Sequence, residues 1–292
     1  MSSRELCICG SGLARKQFSY YFDVLRCGRC GSSVFVQRPG RVARDFEYSA
    51  TTDKYAQEGY LRGKQLRWAH RKLLERDWAG KKVLEIGCFN GFFLDELRTA
   101  GASVFGFDVN RSAVAVGRDL FGLGERLQTS LEKLEACGPF DDIVCIDVLE
   151  HLDHPEDLLP SLTGMLMTGG QLVVAGPTVE RLFHDKSDFP PHHKWWFSRS
   201  GLTTFLHQNG YEITASEVQR DGFLLLRNFI GKVIYGLQRR EFYGDNHVSA
   251  PAFVDGPAVA SIQEWLNPVV DRMFRILGIS YCSTLIIARK TG

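Results

Sequence analysis

The stretch VLEIGCFNGFF, residues 83–93, decides the fold. An apolar run enters a turn with glycines at 87 and 91, and an apolar helical pattern follows. In an open α/β sheet such a turn lets backbone approach a ligand beyond the carboxyl end of the strand. A dinucleotide site uses G-x-G-x-x-G to cradle pyrophosphate on a helix N-terminus. Here the spacing is E-x-G-x-x-x-G, with Glu85 ahead of the turn and Phe89 where a middle glycine would stand. A carboxylate at that point repels phosphate and favours a cation. Phe89 is expected to keep an ordinary φ with its ring turned from the ligand, since it lacks the freedom of glycine.

Outward from this turn the pattern alternates. KVLEIGC reads as a strand, GFFLDELRTAG as a helix stopped by Gly101, SVFGFDV as a strand and RSAVAVGRDLFG as a helix. RLQTS and DDIVCIDVL read as strands, HPEDLLPSLTGML as a helix and GGQLVVAGP as a strand. SRSGLTTFLHQNG then reads as a helix, with YEITASEVQ and STLIIARK as later strands. Alternating strands and helices imply an α/β fold, a parallel sheet with helices on both faces. Before it, YLRGKQLRWAHRKLLERDW has helical character.

Asp108 ends the second strand, 23 residues beyond Glu85. An acidic residue about 20 residues on is suited to the ribose hydroxyls of a nucleoside. S-adenosylmethionine (SAM) combines such a ribose with a sulfonium and an ammonium and carries no phosphate, so its charge suits Glu85. At these residues the chain resembles the class I SAM-dependent methyltransferases. VLEIGCFNG is similar to their first motif, GFDVN to the acidic second, DDIVCIDVLEHLDHPEDLL to the fourth-strand motif and GGQLVVAGP to the fifth-strand segment. The resemblance implies a Rossmann-like seven-stranded sheet. It places Glu85, Gly87, Cys88 and Gly91 at the methionine end and Asp108 with Val109 at the ribose. It also sets Asp147, Val148 and Leu149 beside the cofactor and methyl group. LQTSLE lacks an acidic partner for the adenine amine, leaving that contact to Ser130 or a backbone carbonyl.

Eight cysteines fall at 7, 9, 27, 30, 88, 137, 145 and 282. Cys7-Ile-Cys9-Gly and Cys27-Gly-Arg-Cys30-Gly, with 17 residues between them, can present four thiolates to structural zinc. C-x-C is shorter than the usual knuckle, and a small β module with free thiols is the other reading. The arrangement is similar to zinc-ribbon-like modules preceding methyltransferases of sugar and secondary metabolism, where the module can help cover substrate. The remaining cysteines read as small buried hydrophobes.

The proposed organisation is a zinc-ribbon-like module over residues 1–40, a linker and leading helix over 41–80, a SAM-binding core over 81–221, and a helical insertion or lid with a final strand over 222–292. In the core, DFPPHHKWWFS (188–198) follows the fifth strand and overhangs the ligand side. A hydroxyl or carbon-acid acceptor must lose a proton, and histidine serves near neutral pH. His192 and His193 of this loop are the candidate bases, with His193 favoured, while His151, at the end of the fourth strand, can position the acceptor or hydrogen-bond a neighbouring loop. Lys194, Trp195 and Trp196 can face a polar or ring-shaped acceptor, and Tyr55 and Tyr60 can close over the cofactor or simply pack.

Composition is that of an ordinary globular chain: 44% hydrophobic, 24% charged, net charge +1 over 292 residues. Near-neutrality argues against a broad nucleic-acid footprint. No run reaches the roughly 20 apolar residues of a membrane span, and with no apolar leader the chain is expected in the cytoplasm. Residues 223–240 carry an apolar helical stripe flanked by Arg227, Lys232, Arg239 and Arg240, which suits a lid or membrane-surface contact. The reading is methyl transfer from SAM to a small-molecule or glycan-type acceptor, such as a sugar nucleotide or lipid-linked glycan. Oxygen is the expected acceptor atom, with carbon beside a keto group also open. A zinc-ribbon RNA methyltransferase and a non-catalytic SAM-binding protein are the alternatives.

Overall fold

The computed structural model describes residues 6–17, 22–38, 66–179, 190, 192–219, 272, 276 and 283–292. Tyr55, Tyr60, Pro191, Cys282 and the stripe at 223–240 lie outside the described residues.

Three short strands open the chain: β1 (Leu13–Gln17), β2 (Phe22–Cys27) and β3 (Ser33–Gln37). Helix α1 (Trp68–Leu74) leads into β4 (Lys82–Ile86), and α2 (Phe92–Thr99), β5 (Ser103–Phe107), α3 (Arg111–Leu120) and β6 (Leu127–Gln128) follow. Next come α4 (Glu132–Glu135), β7 (Phe140–Ile146), α5 (Pro155–Met165) and β8 (Leu166–Pro177). The described chain ends with β9 (Trp195–Trp196), α6 (Arg199–Gln208), β10 (Tyr211–Gln219) and β11 (Ser283–Lys290).

The large sheet has the order β10-β11-β8-β7-β4-β5-β6. β4, β5, β6, β7 and β8 run parallel to their neighbours along this series. From β4 the chain winds outward through β5 to β6, then returns to the other side of β4 with β7. The carboxyl ends of β4 and β7 therefore flank a topological switch point, where open α/β sheets bind ligands. β11 departs from the parallel expectation, because it is antiparallel to both β8 and β10. A reversed strand still pairs its backbone groups with those of both neighbours.

Burial explains why these segments become central strands. Val83, Leu84, Ile143, Val144, Val173 and Ile286 are all essentially inaccessible. Each such side chain contributes about 1.5–3 kcal/mol on leaving water. The helices pack through apolar faces, such as Phe92, Phe93, Leu94 and Leu97 on α2. Asn110 caps α3 by accepting the Ala113 N–H at 3.0 Å, and Pro155 starts α5, where its missing N–H costs nothing. Cys88 and Cys145 are buried as expected, and Cys137 is half-buried.

The small antiparallel sheet has the order β1-β2-β3-β9, so its fourth strand comes from residues far along the chain. Cys7, Leu25, Val34, Trp195, Phe205 and Leu206 share one hydrophobic cluster with Leu84, Ile143 and Leu172 of the large sheet. The cysteine-rich segment is thus packed into the same core as one face of that sheet. No helix among the described residues is long and apolar enough to cross a membrane.

Candidate functional site

The first turn is built by β4 and β5 together. Gly87 N–H and Cys88 N–H both donate to the Phe107 carbonyl, at 2.8 and 3.1 Å. Gly87 has φ 75°, and a Cβ there would stand 2.5 Å from Val148 Cγ2. Glycine is required by both conformation and the approach of the β7 end. Phe89 differs from the sequence expectation: its φ is 51°, in the left-handed region. The Asp108 carboxylate accepts the Phe89 N–H at 2.7 Å and the Asn110 N–H at 2.8 Å. A charge-assisted bond contributes about 1.5–3 kcal/mol, enough to offset the roughly 1–2 kcal/mol cost of the left-handed backbone. Asp147, at the end of β7, has φ 54° and pairs with Arg67 at 2.8 Å. Strained non-glycine residues thus mark both sides of the switch point, as they do at working sites.

Glu85 is buried, and its Oε2 has no hydrogen-bond partner among the described residues. His70 Nε2 stands 3.9 Å from Oε1, too far for a hydrogen bond. Burial, and then repulsion from Asp108, push the Glu85 carboxyl well above the usual carboxylate range. Asp108 is pushed up by burial, with its two amide bonds pulling it back. Val109 beside it is 76% exposed, an uncovered apolar side chain at the edge of the site. A buried Glu85 oxygen without a hydrogen-bond partner among the described residues, with an apolar neighbour open to cover, fits a cationic nucleoside ligand such as SAM. Cys88 contributes backbone here, its side chain being packed in the core, where burial raises its thiol. Ser130 spends its hydroxyl on Glu132.

At the far side, a short 3-10 turn (Leu149–His151) follows β7. His151 Nδ1 lies 2.7 Å from the His192 carbonyl, and its ring meets the His193 ring edge-on at 4.8 Å between centroids. A carbonyl only accepts, so the proton sits on Nδ1 and Nε2 keeps its lone pair. Burial lowers His151 below the ordinary histidine value, outweighing the bond to His192. One ligand atom each from Glu150, His151 and His193 lies within 4.8 Å of the others, a set able to pass a proton or hold a divalent ion. Glu150 and Arg67 were not singled out from sequence. The DVLEH run carried the Glu150 signal, adjacent to His151, whereas nothing local points to Arg67.

The 192–194 segment is anchored to this turn, Lys194 N–H donating to the Glu150 carbonyl at 2.7 Å. Trp195 does not face a ligand. It is fully buried and stacked on Phe197 at 5.2 Å, because β9 turns alternate side chains into the core. Trp196 packs edge-on against Phe35, and Lys194 pairs with Asp153 at 2.6 Å.

The four N-terminal cysteines converge. Cys7 and Cys30 sulfurs are 3.6 Å apart, as are those of Cys9 and Cys27, and all four lie within 4.8 Å of one another. Four thiolates about 2.3 Å from a tetrahedral zinc stand about 3.8 Å apart, so the set fits that ion with no position left open. Burial raises Cys7 and Cys30. For Cys9 burial acts the same way, but hydrogen bonds from Ser11 and Cys27 outweigh it and lower the thiol to about 7.

The sheet order, the glycine turn and the acidic second strand define the class I SAM-dependent methyltransferase fold. A family model described as a methyltransferase domain matches residues 58–216, more than half of the 292-residue chain. The chain belongs to that family. It is 33% identical over 123 residues to a ubiquinone biosynthesis O-methyltransferase of Aromatoleum aromaticum, covering 38% of this chain and 52% of that protein. It is 33% identical over 105 residues to a mitochondrial ubiquinone biosynthesis O-methyltransferase of Schizosaccharomyces pombe, covering 34% of this chain and 38% of the relative. The chain therefore spans about half or less of the curated relatives it matches. The Haemonchus contortus phosphoethanolamine N-methyltransferase 2 in complex with SAM superposes with a TM-score of 0.51 at 16% identity, over 96% of this chain and 71% of that one. At that identity the likeness concerns the fold alone.

Proposed function

We propose that this protein transfers the methyl group of SAM to an oxygen of a small-molecule acceptor, with His151 taking the acceptor's proton. The observation that carries the reading is the 2.7 Å contact from His151 Nδ1 to the His192 carbonyl, which fixes the tautomer that leaves Nε2 basic. When bound, SAM supplies an electrophilic methyl carbon on its sulfonium. Glu85, Gly87 and Gly91 would hold its methionine end, Asp108 its ribose, and Val109 would cover the base. Asp147, Val148 and Leu149 border the reacting side, with His193 packed on His151 to keep the imidazole in place. Alignment of acceptor and methyl carbon provides much of the rate in such a displacement, and the histidine adds proton removal.

The O-methyltransferase names of the curated relatives support oxygen. With Trp195 in the core, the segment offers less of an aromatic platform for any ring-shaped acceptor than the sequence suggested, and the preference for a small alcohol or phenol over a glycan rests on the names of the relatives. The cysteine cluster belongs to the same reading as a structural zinc site.

The test is transfer of labelled methyl groups into the small-molecule fraction of a cell extract. His151→Gln should lower transfer about a hundredfold or more while SAM affinity stays within about twofold. Transfer by His151→Gln at the wild-type rate would overturn the assignment.

A further inference from the structure

A buried hydroxyl joins the cysteine cluster to the segment that holds the histidines. Ser32 is fully buried, and its Oγ is 3.3 Å from the Cys30 sulfur. The same oxygen accepts the Ser198 N–H at 2.9 Å and lies 3.0 Å from Ser198 Oγ. Ser198 in turn caps α6, accepting the Gly201 N–H at 2.9 Å. A metal-bound sulfur can only accept. The one proton of Ser32 then goes to Cys30, and its two lone pairs take the N–H and O–H of Ser198, so every group on the hydroxyl is used. A Cβ at Gly201 would stand 2.3 Å from Ser32 Oγ and 3.0 Å from Cys30 Sγ, so the first turn of α6 presses directly on the cluster.

From this junction the contacts lead to the candidate base. Ser200 Oγ donates to the Cys30 carbonyl at 3.1 Å, and Gln208 Nε2 to the Cys9 carbonyl at 3.3 Å. Ser33 pairs with Trp196 and Val34 with Trp195. Phe35 N–H donates to the Lys194 carbonyl at 2.8 Å, and Lys194 N–H to the Glu150 carbonyl at 2.7 Å. The carbonyl of His192, two residues back, receives His151 Nδ1. β9 is only two residues long, and a pair that short has little stability of its own. Its position is set by β3, which begins three residues after Cys30, and by Ser198 beneath it.

We propose that Ser32 and Ser198 are positioning residues that transmit the metal-bound geometry of Cys7, Cys9, Cys27 and Cys30 to residues 192–194, and so hold the carbonyl that orients His151. The catalytic meaning of this coupling rests on the reading of His151 as base. The coupling itself is read without turnover.

The experiment follows backbone amide exchange and the His151 Nδ1–H resonance in the full chain, zinc-loaded and after chelation, with SAM affinity and zinc content measured alongside. Chelation should speed exchange at Phe35 and Lys194 by about tenfold or more and abolish the Nδ1–H signal, while β4 and β7 amides change less than about twofold. Ser32→Ala, which keeps all four cysteines and the α6 cap, should give the same local change with zinc retained. Ser198→Ala should do likewise and Ser198→Thr should restore protection. Where chelation exposes β4 as well, the two serine variants decide. Unchanged Phe35 and Lys194 protection in Ser32→Ala, or Ser198→Thr as exposed as Ser198→Ala, would overturn the proposal. A fully active His151→Gln would remove the catalytic reading while leaving the exchange result to judge the coupling.

Discussion

The carboxylate of Asp108 accepts the backbone N–H of Phe89 at 2.7 Å, tying the end of β5 to the middle of the first glycine turn. One side chain therefore shapes the loop and, in the proposed complex, meets the ribose.

Asp108→Ala should weaken SAM binding by about 10- to 150-fold, the equivalent of losing a charge-assisted bond of 1.5–3 kcal/mol. Calorimetric titration reads it directly. An affinity equal to wild type would place the ligand elsewhere.

Phe89 at φ 51° should respond to substitution by backbone preference. Phe89→Val, β-branched, should be less stable than Phe89→Gly by about 1–2 kcal/mol, measured by urea denaturation. Equal stabilities would mean that the left-handed turn is absent in solution.

Glu85 is raised by burial and by Asp108. Its folded form holds a proton more tightly than the unfolded chain, so its contribution to stability is fully present below the unfolded value of about 4.3. That contribution is lost as pH rises through the folded value. Glu85→Gln should therefore raise the melting temperature of the ligand-free protein at neutral pH while weakening SAM binding. A cationic ligand beside Glu85 favours its ionised form, so SAM binding should be accompanied by net proton release, read from binding enthalpies in buffers of different ionisation enthalpy, and that release should shrink in Glu85→Gln.

His151 is lowered, chiefly by burial. The unfolded chain then binds the proton first, so stability should fall as pH drops below the unfolded histidine value of about 6.5. The same shift keeps the ring neutral, and transfer should persist to pH values below 6.5 before its acid limb begins. A pH–rate profile with its acid limb above 6.5 would contradict this.

Much of this was legible in the sequence because period and turn chemistry are local. Lys82–Ile86, Phe92–Thr99 and Ser103–Phe107 fall where the apolar runs and glycines put them. The four cysteines likewise meet as their spacing suggested. What escaped depends on partners distant in sequence. β9 is two residues whose pairing lies with Ser33 and Val34, so Trp195 looked like a ligand-facing aromatic when it is core. Phe89 was expected at an ordinary φ because its compensating bond comes from Asp108. The sequence put the base in the loop, at His193 or His192; the proposal of His151 in that role rests on the His192 carbonyl, a backbone atom that no motif displays.

The central claim is most directly tested by incubating the protein with methyl-labelled SAM and an extract separated into polar small-molecule, lipid-linked, RNA and protein fractions. Asp108→Ala serves as control. Label should appear in the small-molecule fraction and be lost in the variant. Label confined to RNA or protein, or none in any fraction while SAM binds at full affinity, would contradict it.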